Sequence, residues 1–215
     1  MNELWGYLKN GGPLMVPIVA LSVVALAVFI ERTWALRSSR VVPRDFLRLV
    51  RKKVLEGRAA EAVTLCEGNR SAMSRVVASG LRRAGRSREV VKEAFEEVGR
   101  LEVTHLARFV EVLGTVAAVS PLLGLLGTVV GMIEVFQVVV AEAGQSGPVN
   151  PASLASGISM ALITTVGGLC GAIPAFLGYK FLLARLDHIA IEMEEASLGL
   201  LDLVSEQPAA VGTET

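Results

Sequence analysis

Residues 112–133 and 143–179 contain no Asp, Glu, Lys or Arg. An α-helix needs about 20 apolar residues to cross a bilayer, and only a helix or a closed barrel satisfies its backbone polar groups there. Both runs reach that length, and residues 13–30 add a third charge-free run of 18. The two longer runs are not plain Leu, Ile and Val. One carries Pro121, Gly124, Gly127, Thr128 and Gly131, and the other Gly157, Ala161, Thr165, Gly168 and Ala172, all at helical spacing. Small residues in membrane helices let backbones approach one another, and a hydroxyl in hydrocarbon is costly unless it has a partner. The pattern predicts an all-α integral membrane protein whose second and third helices are built to touch other helices.

The rest of the chain fits around three spans. Trp5 and Tyr7 precede the first run as interface anchors, Gly11-Gly12-Pro13 opens it, and Glu31-Arg32 with Trp34 closes it. The N-terminal MNELWGYLKNGG lacks a basic leader, so the first span is expected to be retained. Residues 36–107 hold short helical periods such as Phe46, Leu47, Val50, Val54, and Val90, Val91, Ala94, Phe95, Val98, punctuated by Pro43, Gly57, Gly68, Gly80 and Gly85. They predict a compact helical domain, with the run 89–108 passing unbroken into the second span. Pro121 is expected to kink that span and free a carbonyl. Residues 144–151 (GQSGPVNP) form a short loop in which Asn150-Pro151 supplies an N-cap and a first-turn proline. Beyond Lys180, Leu182, Leu186, Ile189, Met193, Ala196, Leu200 and Leu203 keep a spacing of three and four, which predicts one long helix leaving the membrane.

Net charge is zero but unevenly placed. The segment between spans one and two is strongly basic, the second loop has no basic residue, and the tail after Arg185 is acidic. Positive charge stays on the cytoplasmic side. The expected layout is a periplasmic N-terminus (1–12), transmembrane helix 1 (13–35), a cytoplasmic helical domain (36–107), transmembrane helix 2 (108–140), a periplasmic loop (141–151), transmembrane helix 3 (152–181) and a cytoplasmic C-terminal helix and tail (182–215), in a bacterial inner membrane. A basic block can also bind nucleic acid, but here Glu89, Glu93, Glu96, Glu97 and Glu102 interleave with the cations, and no nucleic-acid partner is expected.

No nucleophile–base pair, phosphate loop, dinucleotide fingerprint or metal-ligand spacing is present, so neither an enzyme nor a cofactor or metal site is expected. Cys66 and Cys170 fall in different parts of the chain and cannot build a disulfide framework, and His105 and His188 stand alone. The polar groups that could carry chemistry are Thr128 and Thr165, with Thr164 and Ser159 as auxiliaries. A hydroxyl donates and accepts at once, although a membrane Thr often bonds back to its own helix. Gly124, Gly127, Gly131, Gly157, Ala161 and Gly168, with Pro121 and Pro174, are read as packing and shape. Tight packing alone also explains the glycines and alanines. Glu111 and Glu134 lie at the two ends of the second span, where carboxylates are usually solvated; they are possible accessory carboxylates. No titratable group stands at mid-membrane, so a proton crossing there would need a carboxylate from another chain.

SPLLGLLGTVVGMIEVF (120–136) followed by LASGISMALITTVGGLCGAIPAFLGY (154–179) closely resembles the MotA/TolQ/ExbB proton-channel family, in the ExbB/TolQ-like branch. The resemblance implies a homopentamer whose second and third helices line a pore. That pore would hold single-span helices of an ExbD/TolR-like partner whose membrane Asp carries the proton, and a TonB/TolA-like protein would take up the work. It also implies that Thr128, in GTVVG, and Thr165, in ALITT, face that Asp. Two departures stand out: many members carry Glu or Gln at the position of Met160, and Asn at that of Lys180. The implied function is a proton-channel subunit of a motor coupling proton motive force to envelope work, such as TonB-dependent transport or Tol-type function. A gliding- or flagellar-type stator subunit and a passive oligomeric membrane scaffold are the alternatives.

Overall fold

The computed structural model describes residues 11–143 and 151–206. Among these residues there is no strand, and the helices in chain order are α1 Met15–Ala35, α2 Ser38–Val41, α3 Arg44–Leu55, α4 Ala59–Glu67, α5 Ala72–Leu81, α6 Arg88–Ala107, α7 Val110–Ala143 and α8 Pro151–Ser205. Helices α1, α7 and α8 are each long and apolar enough to cross a membrane. The protein is an all-α membrane protein. Trp5, Tyr7, Asn150 and the loop 144–150 lie outside the described residues.

The chain forms two compact units: residues through 30 together with 109–180, and residues 31–108 together with those from 181 onward. The membrane unit buries many small side chains and exposes many large ones, although Ile18, Leu113 and Val116 are buried too. Ala117, Gly124, Gly127, Gly131, Ala161, Gly168, Ala172 and Ala175 are buried, whereas Leu122, Leu125, Val129, Phe136, Leu162, Val166 and Phe176 are exposed. Lipid tails are as apolar as leucine, so helices gain little by hiding leucine from them and much by close packing of small residues. Helices α7 and α8 run on through Pro121 and Pro174.

The second unit buries more of its large apolar side chains. On α3, Phe46, Val50 and Val54 are buried; Met73, Val76, Val77 and Leu81 on α5 and Val91, Ala94 and Phe95 on α6 join them, with Ile189, Met193, Leu200, Leu201 and Val204 from α8. Gly57, at φ +74°, ends α3 in a left-handed conformation that residues with a Cβ seldom adopt. Ser71 caps α5 by accepting from the Ser74 N–H at 3.2 Å, and Asn69 supports the turn by accepting from the Ser71 N–H at 2.9 Å. The C-terminal stretch of α8 is tied to the segment after α1 and to α6. Arg185 Nε donates to the Leu36 carbonyl (2.7 Å), the Ser38 hydroxyl donates to Glu192, and Arg88 pairs with Asp202 (2.8 Å).

One expectation fails. The helix over 89–108 does not continue unbroken into the second span: α6 ends at Ala107, Arg108 and Phe109 form a turn, and α7 starts at Val110. The Arg108 N–H still reaches the Thr104 carbonyl at 3.1 Å, so the interruption is short. It falls where one compact unit gives way to the other, and periodicity alone does not register that change of packing partners.

Candidate functional site

The small residues of α7 and α8 meet face to face. Built at Gly124, a Cβ would lie 3.1 Å from Thr165 Cα; at Gly127, 2.5 Å from Thr164 Cβ; and at Gly131, 2.9 Å from both Ala161 Cβ and the Gly157 carbonyl. From the other side, a Cβ at Gly157 would meet Val135 Cγ2 at 2.5 Å, and one at Gly168 would meet the Ser120 carbonyl at 2.6 Å and Gly124 Cα at 3.0 Å. Real Cβ contacts essentially never come this close, so glycine is what permits the approach.

Of the candidate hydroxyls, Thr164 and Thr165 sit on this seam. Thr165 Oγ1 lies 3.2 Å from the Gly124 carbonyl of the facing helix and 3.3 Å from the Ala161 carbonyl of its own. Thr128 donates to the Leu125 carbonyl at 2.6 Å. Thr164 is fully buried; it donates to the Met160 carbonyl and lies 3.5 Å from that of Gly11. Ser159 is exposed. A hydroxyl has one proton and two lone pairs. Thr128 and Thr165 therefore spend their proton on a carbonyl and keep acceptor capacity for an incoming donor.

The two candidate carboxylates, Glu111 and Glu134, are both exposed. Glu111 has a partner that sequence reading did not pick out: the Tyr179 hydroxyl donates to it at 3.5 Å, and the Tyr179 ring rests on Gly114, within 3.1 Å of where a Cβ would stand. The same reading missed Ser120, which is fully buried and whose hydroxyl has no hydrogen-bond partner among the described residues. It also missed a second glycine face on α8. Gly167 lies against Met15, Gly171 against Ser22 and Gly178 against Phe29, so α8 packs closely on α1 as well as on α7. A scan for small residues at spacings of three and four was the available signal, and it stopped at one face. Pro174 belongs to neither seam; it is exposed and lines a 950 Å³ groove between α1 and α8 with Ile18, Leu26, Leu162, Val166 and Cys170. Met160 lies beside Gly12, where a Cβ would stand 2.8 Å from its sulfur. Among the described residues no cluster of His, Cys, Asp and Glu could hold a metal.

Residues 69–195, covering the helices of this seam, match the model of the MotA/TolQ/ExbB proton channel family. The chain is 31% identical over 180 residues to an ExbB homolog of Methanothermobacter thermautotrophicus, covering 83% of this chain and 62% of that protein's length. It is 31% identical over 194 residues to an ExbB-like protein of Synechocystis, covering 88% and 76%. It is 27% identical over 187 residues to the Tol-Pal system protein TolQ of Haemophilus influenzae, covering 82% and 80%. A match over more than half the chain, centred on the glycine- and threonine-bearing helices, places this protein in the MotA/TolQ/ExbB proton channel family, in its ExbB/TolQ-like branch.

Proposed function

We propose that this chain is the proton-channel subunit of an ExbB/TolQ-type motor that couples proton motive force to work at the cell envelope. The subunit sits in the inner membrane as a homopentamer, with its N-terminus periplasmic and residues 36–107 and 182–215 cytoplasmic. Its pore takes the single span of an ExbD/TolR-like partner that supplies a membrane Asp, and a TonB/TolA-like protein receives the work. Thr128 and Thr165 line the route.

The observation that carries this reading is Thr165. Its hydroxyl reaches across the seam to the Gly124 carbonyl while its lone pairs remain available. A protonated Asp from a neighbouring chain is a donor that such an acceptor suits. Residues 112–133 and 151–179 offer no carboxylate of their own, which fits a route completed by a partner.

The test is Thr165→Val and Thr128→Val in the complex purified with its partner, reconstituted in liposomes carrying a pH-sensitive dye. Valine keeps the shape and removes the hydroxyl. Proton uptake under an imposed gradient falls to background while native mass spectrometry still reports five copies bound to two of a single-span protein. Unchanged uptake in both variants overturns the reading and leaves a scaffold, for which the glycine seam is sufficient by itself.

A further inference from the structure

The cations that follow α1 differ from those further along the same unit. Residues 37–52 hold six cations and one carboxylate, against eleven and eight for residues 53–108. Further along, several cations find partners, Lys53 and Arg58 with Glu61, Arg75 with Glu102, Arg82 with Glu67 and Arg88 with Asp202, while Arg70, Arg83, Arg86 and Arg100 make no ion pair among the described residues and are scattered over different elements. Arg37, Arg40, Arg44 and Arg51 are exposed and make no ion pair among the described residues. Arg48 is held only by Asp45, on the preceding turn, and Lys52 stands 4.0 Å from Glu56.

These side chains also share a face. On α3, Arg44, Arg48, Arg51 and Lys52 follow a spacing of i, i+4, i+7 and i+8, on the side opposite the buried Phe46, Val50 and Val54. Leu55 continues the same stripe at i+11 and is 62% exposed, and Leu49 flanks it at 45%. Leucine among arginines suits a face that meets phospholipid headgroups, because leucine enters the acyl boundary while the cations hold the phosphates. The covalent chain lets the stripe reach lipid: Arg44 follows the last residue of α1 by nine positions, at most about 32 Å even if fully extended.

We propose that the stripe formed by Arg44, Arg48, Arg51 and Lys52, extended by Arg37 and Arg40, is a docking surface for anionic phospholipid headgroups of the membrane that α1 enters. Each phosphodiester takes charge-assisted hydrogen bonds from the stripe's cations, of which only Arg48 and Lys52 have a nearby carboxylate among the described residues. The site is independent of the proton route, so loss of either leaves the other standing.

Trp34, 68% exposed and three residues before Arg37, is a built-in probe. In the full chain carrying Trp5→Phe, reconstituted in phosphatidylcholine bilayers, Trp34 is quenched by acyl-brominated phosphatidylglycerol or by brominated phosphatidylcholine at equal mole fraction. The expected result is a roughly tenfold local enrichment of the anionic lipid, lost at 1 M salt and in R44Q/R48Q/R51Q/K52Q. It is retained in R70Q/R83Q/R86Q/R100Q, which removes as many exposed cations elsewhere. Equal quenching by the two lipids in the parent, or a preference that survives the stripe variant, overturns the proposal. If the stripe variant does not insert, the parent's salt series decides: a preference that persists at 1 M salt overturns it. Tighter binding of RNA than of anionic vesicles, with no lipid preference at Trp34, overturns it in favour of a nucleic-acid surface.

Discussion

The two units of this molecule solve the same packing problem with opposite materials. In the membrane unit, α7 and α8 are joined by glycines, and two of these, Gly124 and Gly168, meet backbone alone: Gly168 faces the Ser120 carbonyl and Gly124 Cα. In the other unit the glycine with the closest neighbour, Gly80 on α5, faces the buried Phe95 ring. Where water drives burial, a large ring is worth burying and glycine makes room for it. Where lipid surrounds the helices, only closer approach of the chains themselves gains anything. The same residue type is therefore a pocket for a side chain at Gly80 and a contact between backbones at Gly124 and Gly168.

The sharpest way to break this comparison is Gly168→Leu. Side-chain atoms forced between two backbones separate α7 from α8, and the expected outcome is loss of the assembled complex in native mass spectrometry. The milder Gly168→Ala is expected to cost about 1–3 kcal/mol through overpacking. No side-chain truncation at Ser120 rescues it, because the obstacle is a carbonyl.

Gly80→Ala is expected to cost a similar 1–3 kcal/mol, but here a second substitution helps. Phe95→Leu withdraws the ring, so the double variant is more stable to denaturant than Gly80→Ala alone, although Phe95→Leu by itself destabilises. Additive losses in the double variant would show that the ring is not what Gly80 accommodates.

A smaller effect separates the two partners of an ion pair in the soluble unit. Arg75 binds both carboxylate oxygens of Glu102; the arginine side chain is 52% exposed and the glutamate 11%. Losing Arg75 strands a nearly buried carboxylate, whereas losing Glu102 leaves a guanidinium that water reaches. Arg75→Ala is expected to cost about 1–2 kcal/mol, discounted for the exposed half of the pair, and Glu102→Gln less. Equal losses on denaturation would put the pair at the surface in effect.

The smallest effects concern single polar atoms. Thr165→Val is expected to cost under about 1 kcal/mol of helix association, so any larger loss of proton uptake reports on the route and not on the fold. Burial pushes the Cys66 thiol up to about 12 from an ordinary 9.0. It therefore resists maleimide at pH 8 until denaturant is added. Above pH 9 the unfolded chain gives up that proton while the folded one holds it, so the contribution to stability is complete below pH 9 and lost as pH rises towards 12. Cys66→Ala removes this part of the alkaline loss in denaturation measured across that range.

Much of the architecture was legible because lipid imposes a simple grammar. Charge-free runs of bilayer length become helices, so α1, α7 and α8 could be placed from composition alone. The glycine pattern on one face of α8 was legible for the same reason, since its spacing is a property of a single helix. The end of α6 at Ala107 was not, because the local pattern runs on and only the change of packing partner stops it. Nor was the second glycine face at Gly167, Gly171 and Gly178, whose meaning depends on α1 lying against it.

Residue order alone shows which segments leave water, that they are helices, and that Thr128 and Thr165 are hydroxyls in a region without carboxylates. Those are properties of composition and of a 3.6-residue repeat. What each hydroxyl does with its proton follows from the packing of one helix on another. Thr165 reaches across to Gly124, Thr128 turns back on Leu125, and Ser120 is buried with no partner among the described residues, because hydrogen bonding depends on which atom of another helix comes within about 3 Å. Among the same residues Arg44 and Arg51 make no ion pair while Arg75 and Arg88 found carboxylates, since an ion pair needs two chain segments brought together, and neighbours in sequence do not specify that.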